Sequence, residues 1–447
     1  MSEPGHPATA HGRAAEWLLY AWAVLAPLTL PVPGPDGVRI SISDFLGAVT
    51  LVLIVLTLLQ RPRRAVAVVP VAIFISWALV CTIYNLPEYP SPIGALFRVS
   101  RAAFIASPFL LAALFSAELG PRVRSRVLDL VMFGSLLGIL IGIAAYYLGF
   151  SVVPAQTYDY GRGLVARATG MMGDAGAFGH LGSSAAALAL CLFFIERRPS
   201  FHRMILCFAL IAIMPLFFYT SLARAPLVDL AVVMLAIIGF AAFAIYRRGR
   251  VFARLGIALG CAVAALGFVA EAYPVEWRTA VTRLDLEAIV AFADDPTSLL
   301  ERLGSGRSNV WEESLSLAED HIALGLGYKG LTSQYNLPGD NLFITTFADL
   351  GLPGVLILGS CLAAFSAACL WTTVQAGRTD LTAAILGPVW LGQLVHTIFV
   401  DITTFYSSFP LILMIAGLAI FARPEAIRTG ALSGSWRYRP GSWRMAA

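Results

Sequence analysis

Residues Arg302 to Gly354 read RLGSGRSNVWEESLSLAEDHIALGLGYKGLTSQYNLPGDNLFITTFADLGLPG. They close the one long polar interruption, about residues 271–340, in a chain that is otherwise one hydrophobic run after another. Arg307 heads a segment that carries Trp311, Leu315 and Ala318 at helical spacing, so Arg307 and Trp311 are expected on one face. Gly339-Asp340-Asn341 stands where apolar sequence resumes. A membrane protein that keeps so large a loop on one side is expected to do its work there, and the loop is read as capping a reaction site at the outer face.

Composition excludes a soluble globular chain. Hydrophobic residues make up 58% and charged residues 13%, against roughly 25% charged in soluble domains. The net charge of +4 is small, and Lys329 is the only lysine among the cations. Arginines clustered in short loops between apolar runs read as topology signals, not as a nucleic-acid footprint. Cys81, Cys191, Cys207, Cys261, Cys361 and Cys369 all fall inside apolar runs. They predict buried packing thiols, with no disulfide framework and no metal spacing.

Runs of about 18 or more apolar residues read as bilayer spans. The pattern predicts an all-α polytopic membrane protein of about twelve transmembrane helices, near residues 17–32, 41–60, 65–84, 93–116, 127–149, 177–195, 204–220, 225–246, 251–270, 341–374, 381–399 and 406–421. Helices are required because lipid offers the backbone no partners, and the runs are too long for barrel strands. Residues 1–16 are expected as a disordered cytoplasmic tail, 17–421 as a single membrane domain including the loop at 271–340, and 422–447 as a cytoplasmic tail. The first run is followed by LPVPGPDG, so it reads as a retained span and not a cleaved signal.

Orientation follows from the arginines. Arg61, Arg63 and Arg64; Arg122, Arg124 and Arg126; Arg197, Arg198 and Arg203; Arg247, Arg248, Arg250 and Arg254; Arg378; and the C-terminal arginines occupy every second loop. Those loops and both termini are therefore expected in the cytoplasm. The remaining loops, about 33–40, 85–92, 150–176, 221–224, 271–340 and 400–405, are expected outside. Their arginines run against the bias: Arg162 and Arg167, with Asp174, in GRGLVARATGMMGDAG, and Arg224 at the end of SLAR before Pro226. Arg98 and Arg101 lie within the fourth span on one face. Charges at membrane depth are costly and face a polar cavity or a partner.

The span at 341–374 is too long for one crossing, at ~1.5 Å per residue against a ~30 Å hydrocarbon layer. Gly351-Leu352-Pro353-Gly354 is the natural break, which leaves 341–350 near the outer interface. Residues 275–292 form an amphipathic stretch expected to lie along the interface. No internal repeat is evident, and the long loop falls between spans nine and ten, not at the centre as in a six-plus-six transporter.

Several motifs have plain readings. Gly325-Leu326-Gly327-Tyr328-Lys329-Gly330 matches G-x-G-x-x-G, but no strand precedes it, so it reads as a turn. Asp285, Glu287, Asp294 and Asp295 read as the solvated face of the amphipathic stretch, not as a divalent-cation site. His180, His321 and His396 each read as a satisfied polar contact. No metal-ligand spacing and no nucleophile elbow is present, and no cofactor is implied. The outer arginines have two readings. Arg224, Arg307 and Arg167 could form a cationic pocket whose planar forks grip phosphate. They could equally anchor lipid headgroups or pair with Asp174, Asp340 or Asp349.

SGRSNVW, then GLGYKG, then GDNLFITTFADLGLPG resembles the signature of the bacterial O-antigen ligase and O-antigen polymerase (Wzy) superfamily. SLARAPL resembles that family's S-R motif at a helix start, and RATGMMGDAGAFG its R-x-x-G segment, with Asp174 where Asn often stands. The likeness covers roughly residues 160–375. It implies a metal-independent, inverting glycosyltransferase of the C-type kind in the bacterial inner membrane, acting at the periplasmic face. The donor it implies is an undecaprenyl-diphosphate-linked glycan; the acceptor is a glycan or lipid-linked glycan, with a chain-length regulator or flippase as further partner. Carried over by position, Arg224 and Arg307 would hold the diphosphate and Asp340 would serve as base, where ligases carry histidine. Arg162, Arg167, Asp174, Arg98, Arg101, Asn341 and Trp311 are the further candidates for diphosphate or glycan binding. The Asp-Asn pair favours a polymerase for O-antigen, exopolysaccharide or capsule over a lipid A-core ligase. A lipid-linked sugar transporter is the competing class.

Overall fold

The structure, a computed structural model, describes residues 10–29, 32–33, 39–149, 156–159, 164–196, 198–221, 225–243, 251–256, 307–339, 341–377, 379–399 and 407–422, and singly 246, 249, 260, 267, 271 and 401. Its helices in chain order are α1 (Ala10–Leu25), α2 (Ile42–Gln60), α3 (Val69–Tyr84), α4 (Pro92–Phe115), α5 (Pro121–Leu148), α6 (Ala175–Ile195), α7 (Phe201–Ser221), α8 (Ala225–Ala242), α9 (Arg307–Glu319), α10 (Gly330–Gln334), α11 (Leu342–Ala376), α12 (Leu381–Phe399) and α13 (Phe409–Ile420). Among the described residues, α2, α4, α5, α6, α7, α8, α11 and α12 are long and apolar enough to cross a membrane, and α3 and α13 are shorter apolar helices. The chain is an α-helical polytopic membrane protein.

Two expected spans need correction or restriction. The first does not begin at Trp17. α1 starts at Ala10, so residues 10–16, expected within a disordered tail, are helical. The reason is a buried stripe at Gly12, Ala15, Leu19, Trp22 and Ala23, helical spacing that continues upstream of the apolar run. α1 also stops early, at a 3-10 turn over Ala26–Leu28 that contains Pro27. The ninth expected span is helical over 251–256, and the rest of it, like the amphipathic stretch at 275–292 and Asp285, Glu287, Asp294 and Asp295, lies outside the described residues.

Two short antiparallel ribbons interrupt the helices: β1 (Val32–Pro33) with β2 (Arg39–Ile40), and β3 (Gln156–Asp159) with β4 (Leu164–Arg167). The core forms where α1, α5, α6, α12 and α13 meet around Trp22, Leu128, Phe178, Leu181 and Trp390. α6 is the most enclosed of the long helices, and Gly179, Gly182, Ser183, Ser184 and Ala185 on it are all buried. Small residues let neighbouring backbones approach, the principal source of helix association in lipid. At Gly182 a Cβ would lie 2.1 Å from the Phe217 ring of α7.

Alternate loops gather at opposite ends of the bundle. At one end Arg61 pairs with Glu118, Arg124 with Asp380, and Arg203 with both Asp129 (2.6 Å) and Glu196 (2.8 Å). Arg126 lies over the ring of Tyr20 in α1, and Ser116 donates to the carbonyl of Phe421 after α13. Among the described residues, these pairs bring together arginine-bearing loops that alternate along the chain.

α11 breaks where expected. Gly351 has φ 68° and ψ −175°, a conformation that favours glycine, and a Cβ there would sit 2.5 Å from the Ile322 carbonyl. Trp77 Nε1 of α3 donates to Leu350 O at 3.0 Å, and Leu352 N donates to Ile322 O at 2.8 Å. The Leu350 carbonyl and the Leu352 amide, on either side of the break, are thus satisfied from other elements.

Candidate functional site

At the end away from the paired arginines, the 325–331 turn is locked from both sides. Asn85 Nδ2 donates to Gly325 O at 3.0 Å, Tyr89 Oη to Tyr328 O at 2.9 Å, and Tyr328 N to Thr82 Oγ1 at 3.0 Å. Asp349, buried on α11, accepts from Lys329 N at 3.0 Å and Leu331 N at 2.9 Å. The Asp349 carboxylate therefore caps the start of α10 and is not given over to an arginine. Gly325 and Gly327 have φ 62° and 86°, so the Gly-x-Gly of this motif serves a turn, as the plain reading holds.

The turn also reaches the strip that follows α12. Lys329 Nζ forms an ion pair with Asp401, and both side chains are largely buried. Burial opposes the charge on Lys329. The carboxylate of Asp401, helped by Tyr328 and Asp349, overrides it and raises the ammonium above the ordinary lysine range. Asp401 N donates in turn to Gly339 O at 3.1 Å. Asn341, the N-cap of α11, accepts from Phe343 N (2.9 Å) and Ile344 N (3.1 Å), and its Nδ2 donates to Ile398 O at 2.8 Å. Gly339 and Asn341, the neighbours of Asp340, are thus both tied to the segment 398–401. Asp340 itself lies outside the described residues.

Arg167, at the end of β4, donates from Nε to Ser221 O at 2.7 Å, and Ala168 N donates to Thr220 O at 2.9 Å. This brings Arg167 to the last turn of α7, three residues before Arg224 in sequence. Arg162 and Arg224 lie outside the described residues. Arg307 opens α9, and its side chain is likewise outside them. The α9 face that turns inward carries Ser314 and Ala318; Ala318 keeps to the expected stripe, and Leu315 departs from it by being exposed. Trp311 lies on that inward face, with its indole N–H enclosed and without a hydrogen-bond partner.

The remaining candidates have structural partners. Asp174 caps α6 by accepting from Ala177 N at 2.7 Å. Arg101 grips Asp44 with both forks, at 2.7 and 2.6 Å. Arg98 is half-buried on α4, within electrostatic reach of Tyr89 and Asp349.

One polar cluster was not foreseen as a unit. His180 of α6 meets Ser408 through Nδ1 and Gln393 of α12 through Nε2, each at 2.5 Å. His396 Nδ1 meets Asp229 Oδ2 of α8 at 2.5 Å, and Ser183 Oγ donates to the same oxygen at 3.0 Å. The two imidazoles stack edge to face with centroids 4.8 Å apart, and all of these side chains are buried. Both histidines are satisfied polar contacts, as expected singly. The signal for the whole was Asp229 and Gln393 lying inside apolar runs, since polar groups at membrane depth need partners.

Fold and site together define a helical integral membrane protein in which, among the described residues, the 325–331 turn meets residues 82–89 and Gly339 and Asn341 meet Asp401 and Ile398, away from the paired arginines. Residues 209–359 match the family model described as O-antigen ligase, a stretch that contains Arg224, Arg307, the 325–331 turn and Asn341. The match supports the O-antigen ligase and polymerase superfamily, and with it a membrane enzyme that transfers glycans. No curated protein matches the chain.

Proposed function

We propose that the protein is a polymerase at the periplasmic face of the bacterial inner membrane, with both termini in the cytoplasm. It would extend a glycan carried on undecaprenyl diphosphate during O-antigen, exopolysaccharide or capsule assembly. The acceptor's hydroxyl oxygen attacks the donor's anomeric carbon as the carbon–oxygen bond to the diphosphate breaks. The electron pair leaves with undecaprenyl diphosphate and the proton passes to Asp340. Arg224 and Arg307 offer fixed positive charge where negative charge grows, which needs no metal ion. Arg167 lies beside the turn that leads to Arg224 and adds to that field, and Trp311 has a free indole donor one helical turn from Arg307.

An aspartate with an ordinary pKa of ~3.9 is a weak base at neutral pH. It suffices where proton loss lags bond formation. A double displacement would need a second carboxylate at the anomeric carbon, and the sequence pairs none with Asp340. The observation that supports this reading is the tie of Gly339 to Asp401 and of Asn341 to Ile398, the sequence neighbours of Asp340 on either side.

The description of the matching family favours a second reading, a ligase that delivers the finished glycan to lipid A-core. Asp340, standing where ligases carry histidine, speaks for the polymerase. Deletion of the gene separates them: single lipid-linked repeats indicate lost polymerisation, and long unligated chains indicate lost transfer. Purified protein in detergent, with no membrane gradient, should extend a synthetic lipid-linked oligosaccharide. A transporter would not.

A further inference from the structure

We propose that the cavity between the starts of α5 and α7 holds the phosphate headgroup of one anionic phospholipid, whose acyl chains lie along the outer faces of the two helices. The cavity measures about 720 Å³, within the ~300–1,000 Å³ of ordinary small-molecule sites. Arg122, Arg126 and His202 line its polar end, and Leu130, Phe133 and Leu206 its apolar end. None of these residues belongs to the candidate site, so the inference stands apart from the transfer reaction.

The positive charge at the polar end has no carboxylate of its own. Of the three arginines that open α5, Arg124 turns to Asp380. Arg122 and Arg126 are four residues apart and so on one face; both are exposed and both line the cavity. Among the described residues neither forms an ion pair, and Arg126 lies over the neutral ring of Tyr20, 6.0 Å from its centre. Asp129, the carboxylate that shares the cavity, is taken up by buried Arg203 at 2.6 Å, and His202 Nε2 approaches its other oxygen at 3.2 Å. Arg203 is fixed in turn by Glu196 at 2.8 Å and Ser125 Oγ at 2.6 Å. Like charges at the spacing of Arg122 and Arg126 repel each other, and the start of a helix is where its own field least favours a cation. A topology signal needs such charges in the loop, but not on one side of a cavity. A bound anion accounts for both.

Depth favours a lipid over a soluble phosphate. Phe133 follows Arg122 and Arg126 by two to three helical turns, ~10–16 Å along α5 at ~1.5 Å per residue. The cavity therefore runs from a basic mouth into the apolar part of a span. Phe133 and Leu140 on α5 and Ile205 and Phe208 on α7 are exposed, and these faces meet acyl chains. A soluble anion would leave the apolar end unfilled, whereas a phospholipid matches both ends. Arginine forks suit phosphate oxygens, and basic pockets between transmembrane helices take anionic headgroups.

The test uses the full-length protein, purified in neutral detergent and stripped of lipid, with retained lipid counted by native mass spectrometry. Phosphatidylglycerol should fill one saturable site, and phosphatidylcholine with the same acyl chains should bind more weakly. The double variant Arg122→Gln, Arg126→Gln should weaken phosphatidylglycerol by ~25-fold, about fivefold for each basic residue. Arg13→Gln with Arg198→Gln removes the same charge from exposed positions outside the cavity and should leave binding nearly unchanged. Leu206→Trp keeps both arginines, fills the apolar end, and should also weaken binding. Equal losses in the two arginine pairs, or full binding in Leu206→Trp, would mean diffuse surface charge and would overturn the proposal. So would the absence of a saturable site in the wild type.

Glycerol phosphate serves as the headgroup without chains. Competition at the lipid's own concentration would assign the cavity to a soluble phosphate and remove the lipid. Thermal unfolding gives a second readout, because a ligand of the folded state raises its stability. Phosphatidylglycerol should raise the wild-type unfolding temperature, and the Arg122, Arg126 variant should match the lipid-free wild type and lose that rise. Should this variant not fold, Leu206→Trp beside the single Arg126→Gln decides between the same outcomes.

Discussion

Arg101 closes on Asp44 through two hydrogen bonds of 2.7 and 2.6 Å, while Asp44 also accepts from Ser41 N and Ser41 Oγ at 2.8 Å each. The guanidinium fork joins α4 to the start of α2. Asp44→Ala leaves a half-buried guanidinium without its partner, a change that costs ~3–5 kcal/mol in comparable buried pairs. The measurement is thermal unfolding in detergent. Transfer rate per folded molecule should be nearly unchanged, and a selective loss of donor binding would return Arg101 to the site.

Arg307→Lys keeps the charge and removes the planar fork. Loss of one such donor at a developing anion typically costs ~10²–10³-fold in kcat, and a drop of that order is expected in the purified assay. Full activity in this variant would rule out bidentate gripping of the diphosphate.

Chelation provides an independent check. Activity should persist in EDTA because the positive field is supplied by arginine. Loss of turnover on chelation, restored by a divalent cation, would revive Asp285 and Glu287 as ligands.

Gly351→Ala forces a side chain into a left-handed position and places its Cβ 2.5 Å from Ile322 O. Strain of this kind costs ~1–3 kcal/mol before the clash is counted. A lowered unfolding temperature is expected, and an unchanged one would mean that the helix does not break at this residue.

His396→Leu strands the carboxylate of Asp229 among buried side chains of α6, α8 and α12. Breaking such a pair by removing one partner should destabilise by ~3–5 kcal/mol. The double variant Asp229→Leu, His396→Leu should recover much of this, since two apolar groups no longer need each other. Equal losses in the single and double variants would show that the two residues do not act as a pair.

Much of the bundle could be read from the chain because span signals are local. Apolar length located α2 to α8 and α11 to α13, the arginine alternation divided the loops between two ends, and Gly351-Leu352-Pro353-Gly354 marked the break in α11. The start of α1 was missed because its upstream turns carry His11, Arg13 and Glu16, which hydropathy rejects but a one-sided helix tolerates. The site was only partly legible. Asn341 and the 325–331 turn stood out by their residue types, but the pairing of Lys329 with Asp401 joins positions 72 apart. His180 and Gln393 are 213 apart and Asp229 and His396 are 167 apart. No periodicity carries such distances. They follow from which helices become neighbours, and that is decided by packing over the whole bundle.

The interruption at Gly351 has a mechanical consequence. A helix in a bilayer tilts to match the thickness of the lipid around it, and an unbroken α11 would pass that tilt straight to Asn341. Here the stretch above the break is fastened through Leu350 to Trp77 of α3 and through Asp349 to the 329–331 turn. Leu352, just below the break, is tied to Ile322 O, so a tilt of the long lower part of α11 meets this joint before it reaches Asn341.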